Sequence, residues 1–342
     1  MATPITTNRP TPEHIFALMN AFQQTEALKT GIELDIFSAI GAGADTPALL
    51  AAKTGASERG LRILCDYLTI MGLLAKEAGR YSLTPESALF LDRHSPGCLA
   101  SVTGFLASPW HKKNMEALTA AVRKGGTAGV QGDNTNPQDE VWVAFARSMA
   151  PLTIPAANFI AGIIGAEEGQ ACRVLDIAAG HGNYGITIAR KNPRAQIVAM
   201  DWPAVLAVAV ENAQAAGVSE RYTTRPGSAF EIELGSGYDF ALLTNIFHHF
   251  DMATCETLMR RIHAALKPGG KAVTLEFVPN EDRVTPPAVA AFSLNMLAGT
   301  DAGDAYTFSE YEKMFAKAGF AKTSLHPAPG IPQQVMISEK TA

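Results

Sequence analysis

Gly180, Gly182 and Gly185 spell G-x-G-x-x-G, and an acid, Asp176, precedes them inside the short apolar run of Val174, Leu175 and Ile177. Glycines at that spacing let a backbone turn sharply out of a strand and into a helix, where unpaired N–H groups meet a nucleotide. The spelling by itself is the dinucleotide fingerprint, whose turn admits a pyrophosphate. Asp176 points elsewhere, because a carboxylate just before the turn suits an ammonium far better than a phosphate. A second acid, Asp201, ends the next apolar run, Ala195 to Met200, where it can accept hydrogen bonds from ribose hydroxyls. Further on, His248 and His249 stand side by side just past an apolar run that ends at Thr244. Histidine titrates where a general base must, whereas two adjacent histidines point apart and make a poor metal pair, so no metal site is expected.

These residues need strand ends to hold them. From Cys172 onward the pattern alternates: strands at Val174, Ile197, Tyr222–Thr224, Phe240–Thr244 and Ala272–Phe277, with helices from Tyr184, from Ala204 and over Thr254–Leu266 between them. A pocket helix, a helix over Phe308–Ala318 and a last strand at Val335–Ser338 complete the series. Such alternation predicts an α/β fold, an open, doubly wound, mainly parallel sheet covered on both faces, with its ligand at the carboxyl ends of the strands.

Upstream the chain reads differently. Glu13 to Thr30 is a helix punctuated by Gly31, and Ile32 to Ile40 continues an apolar helical segment up to Gly41-Ala42-Gly43. Thr46-Pro47 starts a helix that ends near Gly55, Ser57 caps another over Glu58–Met71, and Leu73–Leu83 is a hairpin turning at Glu77-Ala78-Gly79. Helix, turn, helix, hairpin is the winged-helix order. The would-be recognition helix carries Arg59 and Arg62 but is otherwise dominated by Leu61, Ile63, Leu64, Leu68 and Ile70, too apolar to track phosphates. Between Ser95 and Ala166 lie helices rich in Phe, Trp and Met, interrupted by a loop over Gly125–Pro137. Its Asp133, with Asp139 just beyond, lacks the alternating ligand spacing of a calcium loop.

The spelling Val-Leu-Asp-x-x-x-Gly-x-Gly from Val174 to Gly182 resembles the first motif of class I S-adenosylmethionine (SAM)-dependent methyltransferases. Asp201-Trp202-Pro203, Gly227-Ser228-Ala229-Phe230, Phe247-His248-His249-Phe250, Leu266-Lys267-Pro268-Gly269-Gly270 and Leu275-Glu276 then follow in register. In that order they resemble the Asp-Leu-Pro, Gly-Asp-Met-Phe, Leu-His-Asp-Trp, Pro-x-Gly-Gly and Val-Val-Glu landmarks of the caffeate-type small-molecule O-methyltransferases. The resemblance implies a Rossmann-like methyltransferase domain over 167–342, a winged-helix dimerisation domain over 1–104 that makes an intertwined homodimer, and a helical linker over 105–166 that adds to the substrate pocket. It implies SAM as cofactor and the hydroxyl of a small aromatic or polycyclic metabolite as acceptor.

Residue by residue, the resemblance places Gly180 and Gly182 at a close backbone approach to the cofactor, with Asp176 and Asn245 near its methionine portion. Asp201 falls at the ribose, Trp202 over the adenine or packed against Pro203, and Ser228, Ala229 and Phe230 around the adenine edge. His248 matches the family's base and Glu276 the acid that orients it. Phe145 and Met149, in Phe-Ala-Arg-Ser-Met, resemble a segment near donor and substrate, and Phe292, Asn295 and Met296 match a helix that walls the acceptor pocket. Three departures stand out. His249 replaces the aspartate that often follows the histidine and is a second candidate base. Ala305 replaces a glutamate, with only Asp301 and Asp304 nearby, and Ser228 replaces an aspartate near the adenine. Methylation of carbon, another SAM-using reaction, a SAM-sensing winged-helix regulator, or, on the glycine spacing alone, an NAD-dependent dehydrogenase stay open as alternatives, and the acceptor's identity is not legible.

Composition narrows the field. In 342 residues that are 47% hydrophobic there is room for two sizeable cores, and a formal charge of -5 argues against a protein held on nucleic acid. The four cysteines, Cys65, Cys98, Cys172 and Cys255, have no Cys-x-x-Cys spacing and read as reduced thiols. No leader is seen in the polar, proline-rich Met1 to Pro12, and no apolar run reaches the roughly 18–20 residues that span a bilayer, so a soluble, cytoplasmic protein without a membrane partner is expected.

Overall fold

The computed structural model describes residues 10–129 and 140–341. Asp133 and Asp139 of the loop region noted above lie outside the described residues. The chain forms two compact units, Met1–Thr103 and Gly104–Ala342.

In the first unit, the helix Glu13–Glu33 runs through Gly31 rather than stopping there. A Cβ on Gly31 would lie 3.2 Å from both Leu68 and Phe37, so the glycine serves close packing and is no stop signal. The interruption comes at Asp35, whose left-handed backbone (φ 55°) separates that helix from Ile36–Gly41. Local rules hold thereafter. Thr46 accepts a hydrogen bond from the Leu49 N–H and precedes Pro47 at the start of Pro47–Thr54, and Gly55 closes that helix at φ 74°. Ser57 caps Glu58–Ile70, which buries Leu61, Cys65 and Leu68 on one stripe. Strands β1 (Leu74–Glu77) and β2 (Arg80–Leu83) form a hairpin whose turn residues Ala78 and Gly79 both have positive φ, as a two-residue type I′ turn requires. Arg62 is tied to Asp66 at 3.0 Å.

The second unit is built on seven strands: β3 (Cys172–Ile177), β4 (Ala195–Asp201), β5 (Tyr222–Pro226), β6 (Tyr238–Thr244), β7 (Leu266–Glu276), β8 (Lys322–Pro327) and β9 (Gln334–Glu339). Their order is β5-β4-β3-β6-β7-β9-β8. The first five are parallel, and β9 runs antiparallel to both β7 and β8. Val174, Leu175, Ile177, Leu242, Leu243, Val273 and Leu275 are all fully buried, as strands covered on both faces must be. Sequence reading missed β8, because Lys-Thr-Ser-Leu-His-Pro shows no apolar face and pairs only at the sheet edge. From β3 the chain order departs in opposite directions, to β4 on one side and to β6 on the other. That switch point opens a crevice outside the carboxyl ends of the strands.

Candidate active site

Every parallel strand carries candidate site residues at or just beyond its carboxyl end. After β3 the backbone turns through Ala178 (φ 53°), Gly180 (φ 57°) and Gly182 (φ 77°) into the helix Asn183–Lys191. The turn is tight for identifiable reasons. A Cβ on Gly182 would stand 2.6 Å from the Tyr222 hydroxyl, and one on Gly185 would stand 2.9 Å from the Asp176 carboxylate and 2.7 Å from Ile197. Asn183 anchors the turn by donating its amide to Ala150 O and Thr153 Oγ1, both at 3.0 Å, in the helix Glu140–Ile163 that carries Phe145 and Met149.

Asp176 is fully buried. One carboxylate oxygen accepts the Gly185 N–H at 3.1 Å, and the other has no partner. Burial, opposed by the Gly185 hydrogen bond and helped by the charge of Asp201, raises this carboxyl to about 7. Asp201, at the end of β4, accepts the Gly180 N–H at 2.8 Å and the Trp202 N–H at 2.7 Å, and burial raises it to about 6. The Asp201 backbone carbonyl in turn accepts the Gly227 N–H, which holds the segment Ser228–Phe230 beside it. Phe230 packs edge-on to Phe250 at 5.1 Å. Trp202 is partly buried in a small cluster with Ala146, Val205 and Val208.

At the end of β6, Asn245 takes a left-handed backbone (φ 56°) and donates its N–H to Leu275 O at 2.8 Å, while its side-chain oxygen is buried without a partner. A 3₁₀ turn, Phe247–His249, follows. There His248 Nδ1 lies 2.6 Å from Glu276 Oε2, and Glu276 Oε1 accepts the Phe247 N–H at 2.8 Å. Glu276 ends β7 and is fully buried; His248 is 4% exposed. A carboxylate can only accept, so with Glu276 in that form Nδ1–H is the donor and Nε2 keeps its lone pair. The His249 ring lies 4.3 Å from that of His248 and 51° to it, with its Nδ1 buried and unpartnered. Burial and the neighbouring His248 hold its imidazole well below the usual 6.5.

Rings continue the wall. Phe292 sits edge-on to His248 at 4.9 Å and stacks on Phe277 at 3.9 Å. Asn295 and the buried Met296 share its helix, Phe292–Gly299. Neither acid near the missing glutamate takes its place: Asp304 pairs with Arg283 at 3.1 Å, Asp301 with Lys124 at 3.2 Å, and Ala305 is fully buried. Among the described residues no cluster of His, Cys, Asp and Glu could hold a metal ion, and no helix is long and apolar enough to cross a membrane.

Residues 169–321 match the model of an O-methyltransferase domain, and residues 16–93 that of an O-methyltransferase dimerisation domain. A solved structure from Nostoc punctiforme, provisionally described as an O-methyltransferase, is 47% identical, with 97% of this chain and 100% of that one covered at a TM-score of 0.93. The chain belongs to the SAM-dependent O-methyltransferase family. Among curated relatives of this O-methyltransferase, the 3-hydroxy-5-methyl-1-naphthoate 3-O-methyltransferase of Streptomyces sahachiroi is 28% identical over 93% of each chain. The tetracenomycin polyketide synthesis 8-O-methyl transferase TcmO of Streptomyces glaucescens is 27% identical over 96% of this chain and 97% of that one.

The glycine turn of this O-methyltransferase fits that methyl donor and not a dinucleotide. Asp176 and Asn245 present unpartnered acceptor oxygens, and Asp201 holds the same turn through the Gly180 N–H; a pyrophosphate would meet two carboxylates, whereas an ammonium supplies the donors that the Asp176 and Asn245 oxygens lack. Three residues of the site escaped sequence reading. Tyr222 read only as a strand start, though its hydroxyl is buried without a partner beside Gly182. Asn183 lies inside the glycine motif, directly after Gly182, a position that could have flagged it. Gly303 carried no signal at all, yet it packs against the His248 carbonyl.

Proposed function

We propose that this O-methyltransferase methylates a hydroxyl of a planar aromatic or polycyclic metabolite, with His248 as the general base. The observation that carries the reading is the hydrogen bond from His248 Nδ1 to the fully buried Glu276, which leaves Nε2 free to take a proton. When bound, SAM supplies a methyl carbon made electrophilic by its sulfonium. The chain's own residues must then orient the acceptor and receive its proton. A phenol with a pKa of about 10 is mostly protonated at neutral pH, so a positioned base is worth roughly 10²–10⁴-fold. Glu276 fixes the tautomer and stabilises the imidazolium that forms. His249 is less suited, because burial beside His248 penalises its charged form.

For the cofactor, the same reading gives Asp176 and Asn245 to the ammonium end, Gly180 and Gly182 to backbone contact, Asp201 to the ribose, and Trp202, Ser228, Ala229 and Phe230 to the adenine. Phe145, Met149, Phe292, Asn295 and Met296 line the acceptor side, with 105–166 acting as the linker between a 1–104 dimerisation domain and the 167–342 catalytic domain. Aromatic edges around His248 favour a flat acceptor, in keeping with the naphthoate and polyketide acceptors named for the relatives. The test is transfer from methyl-labelled SAM to a panel of hydroxylated naphthalenes and anthraquinones. Label on oxygen is expected; label on carbon, or none with any acceptor, overturns the reading.

Homodimerisation belongs to the same proposal. The helix Glu13–Glu33 exposes Ile15, Phe16, Leu18, Met19 and Phe22, each more than half exposed, and all but Ile15 fall within the segment 16–93 that matches a dimerisation domain. Apolar side chains so concentrated on one helix are what a second copy would cover. Light scattering at micromolar concentration should give twice the chain mass, and the double substitution Phe16→Asp, Phe22→Asp should give the monomer. A monomeric wild-type protein would refute the pairing.

A further inference from the structure

Beyond the histidine pair the ring contacts run on without interruption. Trp142 stands edge-on to His249 at 5.4 Å, Phe145 edge-on to Trp142 at 5.7 Å, Phe105 edge-on to Phe145 at 4.9 Å, and His111 edge-on to Phe105 at 5.2 Å. His111 shares the helix Pro109–Glu116 with Asn114, one turn on and therefore on the same face, and this helix packs against the pocket helix Phe292–Gly299.

Asn114 is 5% exposed. Its oxygen abuts Gly129, where a Cβ would come within 2.2 Å of it, and its Nδ2 has no hydrogen-bond partner. Nδ1 of His111 is buried and unpartnered as well. Buried polar atoms are nearly always satisfied, so two of them one turn apart, at the end of a continuous aromatic wall, mark a place where something else completes the bonds. The chemistry available is specific. Asn114 offers N–H donors, and burial keeps the His111 imidazole below its usual value and so neutral. Lys112 and Lys113 of the same helix are exposed, and Lys124 is paired with Asp301. Donors without a buried cation suit a carbonyl oxygen and not a carboxylate, which would be stripped of water without a countercharge.

We propose that Asn114 and His111 form a second polar subsite of the acceptor pocket, which takes a carbonyl oxygen of a fused-ring acceptor such as a hydroxyquinone and so selects the hydroxyl presented to His248. This rests on the acceptor reading above and adds the substrate class. The probes are 2-hydroxyanthraquinone and 2-hydroxyanthracene, of the same ring outline but with and without carbonyls, titrated calorimetrically into full-length protein saturated with S-adenosylhomocysteine.

The wild-type protein should bind the quinone about ten-fold more tightly. Asn114→Leu, which keeps the volume and loses the donors, should abolish that preference without changing the dissociation constant of the anthracene or of S-adenosylhomocysteine. His111→Phe, which keeps the ring contact, should reduce the preference and serves as the deciding variant if Asn114→Leu no longer binds S-adenosylhomocysteine. No preference in the wild-type protein, a preference that survives both substitutions, or equal weakening of both probes overturns the subsite. Binding is read apart from turnover, so the subsite can fail while methyl transfer to 2-hydroxyanthracene still supports the aromatic-hydroxyl acceptor reading.

Discussion

His248→Ala is expected to lower kcat by about 10²–10⁴-fold while leaving the affinity for S-adenosylhomocysteine unchanged. The split follows from where the side chain sits. His248 lies past the end of β6, against Glu276 and Phe292, whereas the unpartnered oxygens that suit the cofactor surround the glycine turn after β3. Removing the imidazole deletes the proton acceptor and leaves that turn intact. It also leaves Glu276 with a single donor, the Phe247 N–H, so some loss of stability should accompany the kinetic effect. Adding Glu276→Gln to His248→Ala should cost little further turnover, because an orienting acid has nothing left to orient. His249→Ala should cost much less than His248→Ala. If instead His249→Ala is the variant that loses turnover, the base has been assigned to the wrong histidine of the pair.

The parts of this site that could be read from sequence share one property: they are local. A buried parallel strand writes a short apolar run, its carboxyl end is marked by the first polar residue after the run, and Asp176, Asp201, Asn245 and Glu276 all fall at or next to such ends. Capping residues are local too, which is why Thr46, Ser57 and the Ala78-Gly79 turn could be placed from sequence. What sequence could not supply depends on partners distant along the chain. Gly31 looks like punctuation until Leu68 and Phe37 are packed against it. The strand Lys322–Pro327 has little apolar signature because it lies at the sheet edge, paired with β9 alone among the described strands. Asn114 and His111 carry no signal in the sequence, and only the burial of their unpartnered Nδ2 and Nδ1 atoms sets them apart. The hydrogen bond between His248 and Glu276, 28 residues apart, lies between these cases: each residue was legible by position, and their closeness required β6 and β7 to be neighbours.

Gly303→Ala should lower kcat by about 10²-fold although the atoms nearest an added Cβ belong to the backbone of the histidine pair and to Thr300, not to an imidazole ring. A Cβ at this position would stand 2.1 Å from the His248 carbonyl oxygen, 3.0 Å from the His249 carbonyl carbon and 2.6 Å from Thr300 Oγ1. Two of those three are backbone atoms, which cannot rotate aside. The surroundings leave little room for the glycine to retreat. Its N–H donates to Thr300 Oγ1 at 2.9 Å, that hydroxyl donates to Met296 O at 2.7 Å, and Thr300 O accepts the Thr127 N–H at 2.7 Å. On the other side, the Tyr306 hydroxyl donates to Phe250 O at 2.6 Å, pinning the end of the histidine turn. The added methyl must therefore push the turn that carries His248, and a displacement near 1 Å is enough to take a base out of line with its acceptor. Overpacking of this kind costs about 1–3 kcal/mol of stability, so the melting temperature should fall as well. Gly162→Ala is the matched control: its Cβ would meet nothing within 4 Å, it lies inside the helix Glu140–Ile163, and alanine there should be neutral or slightly stabilising. Wild-type kcat in Gly303→Ala, with the fold confirmed by S-adenosylhomocysteine binding, would mean that the position of the histidine turn is set elsewhere. A fall in kcat with that binding intact would make Gly303 a positioning residue for His248.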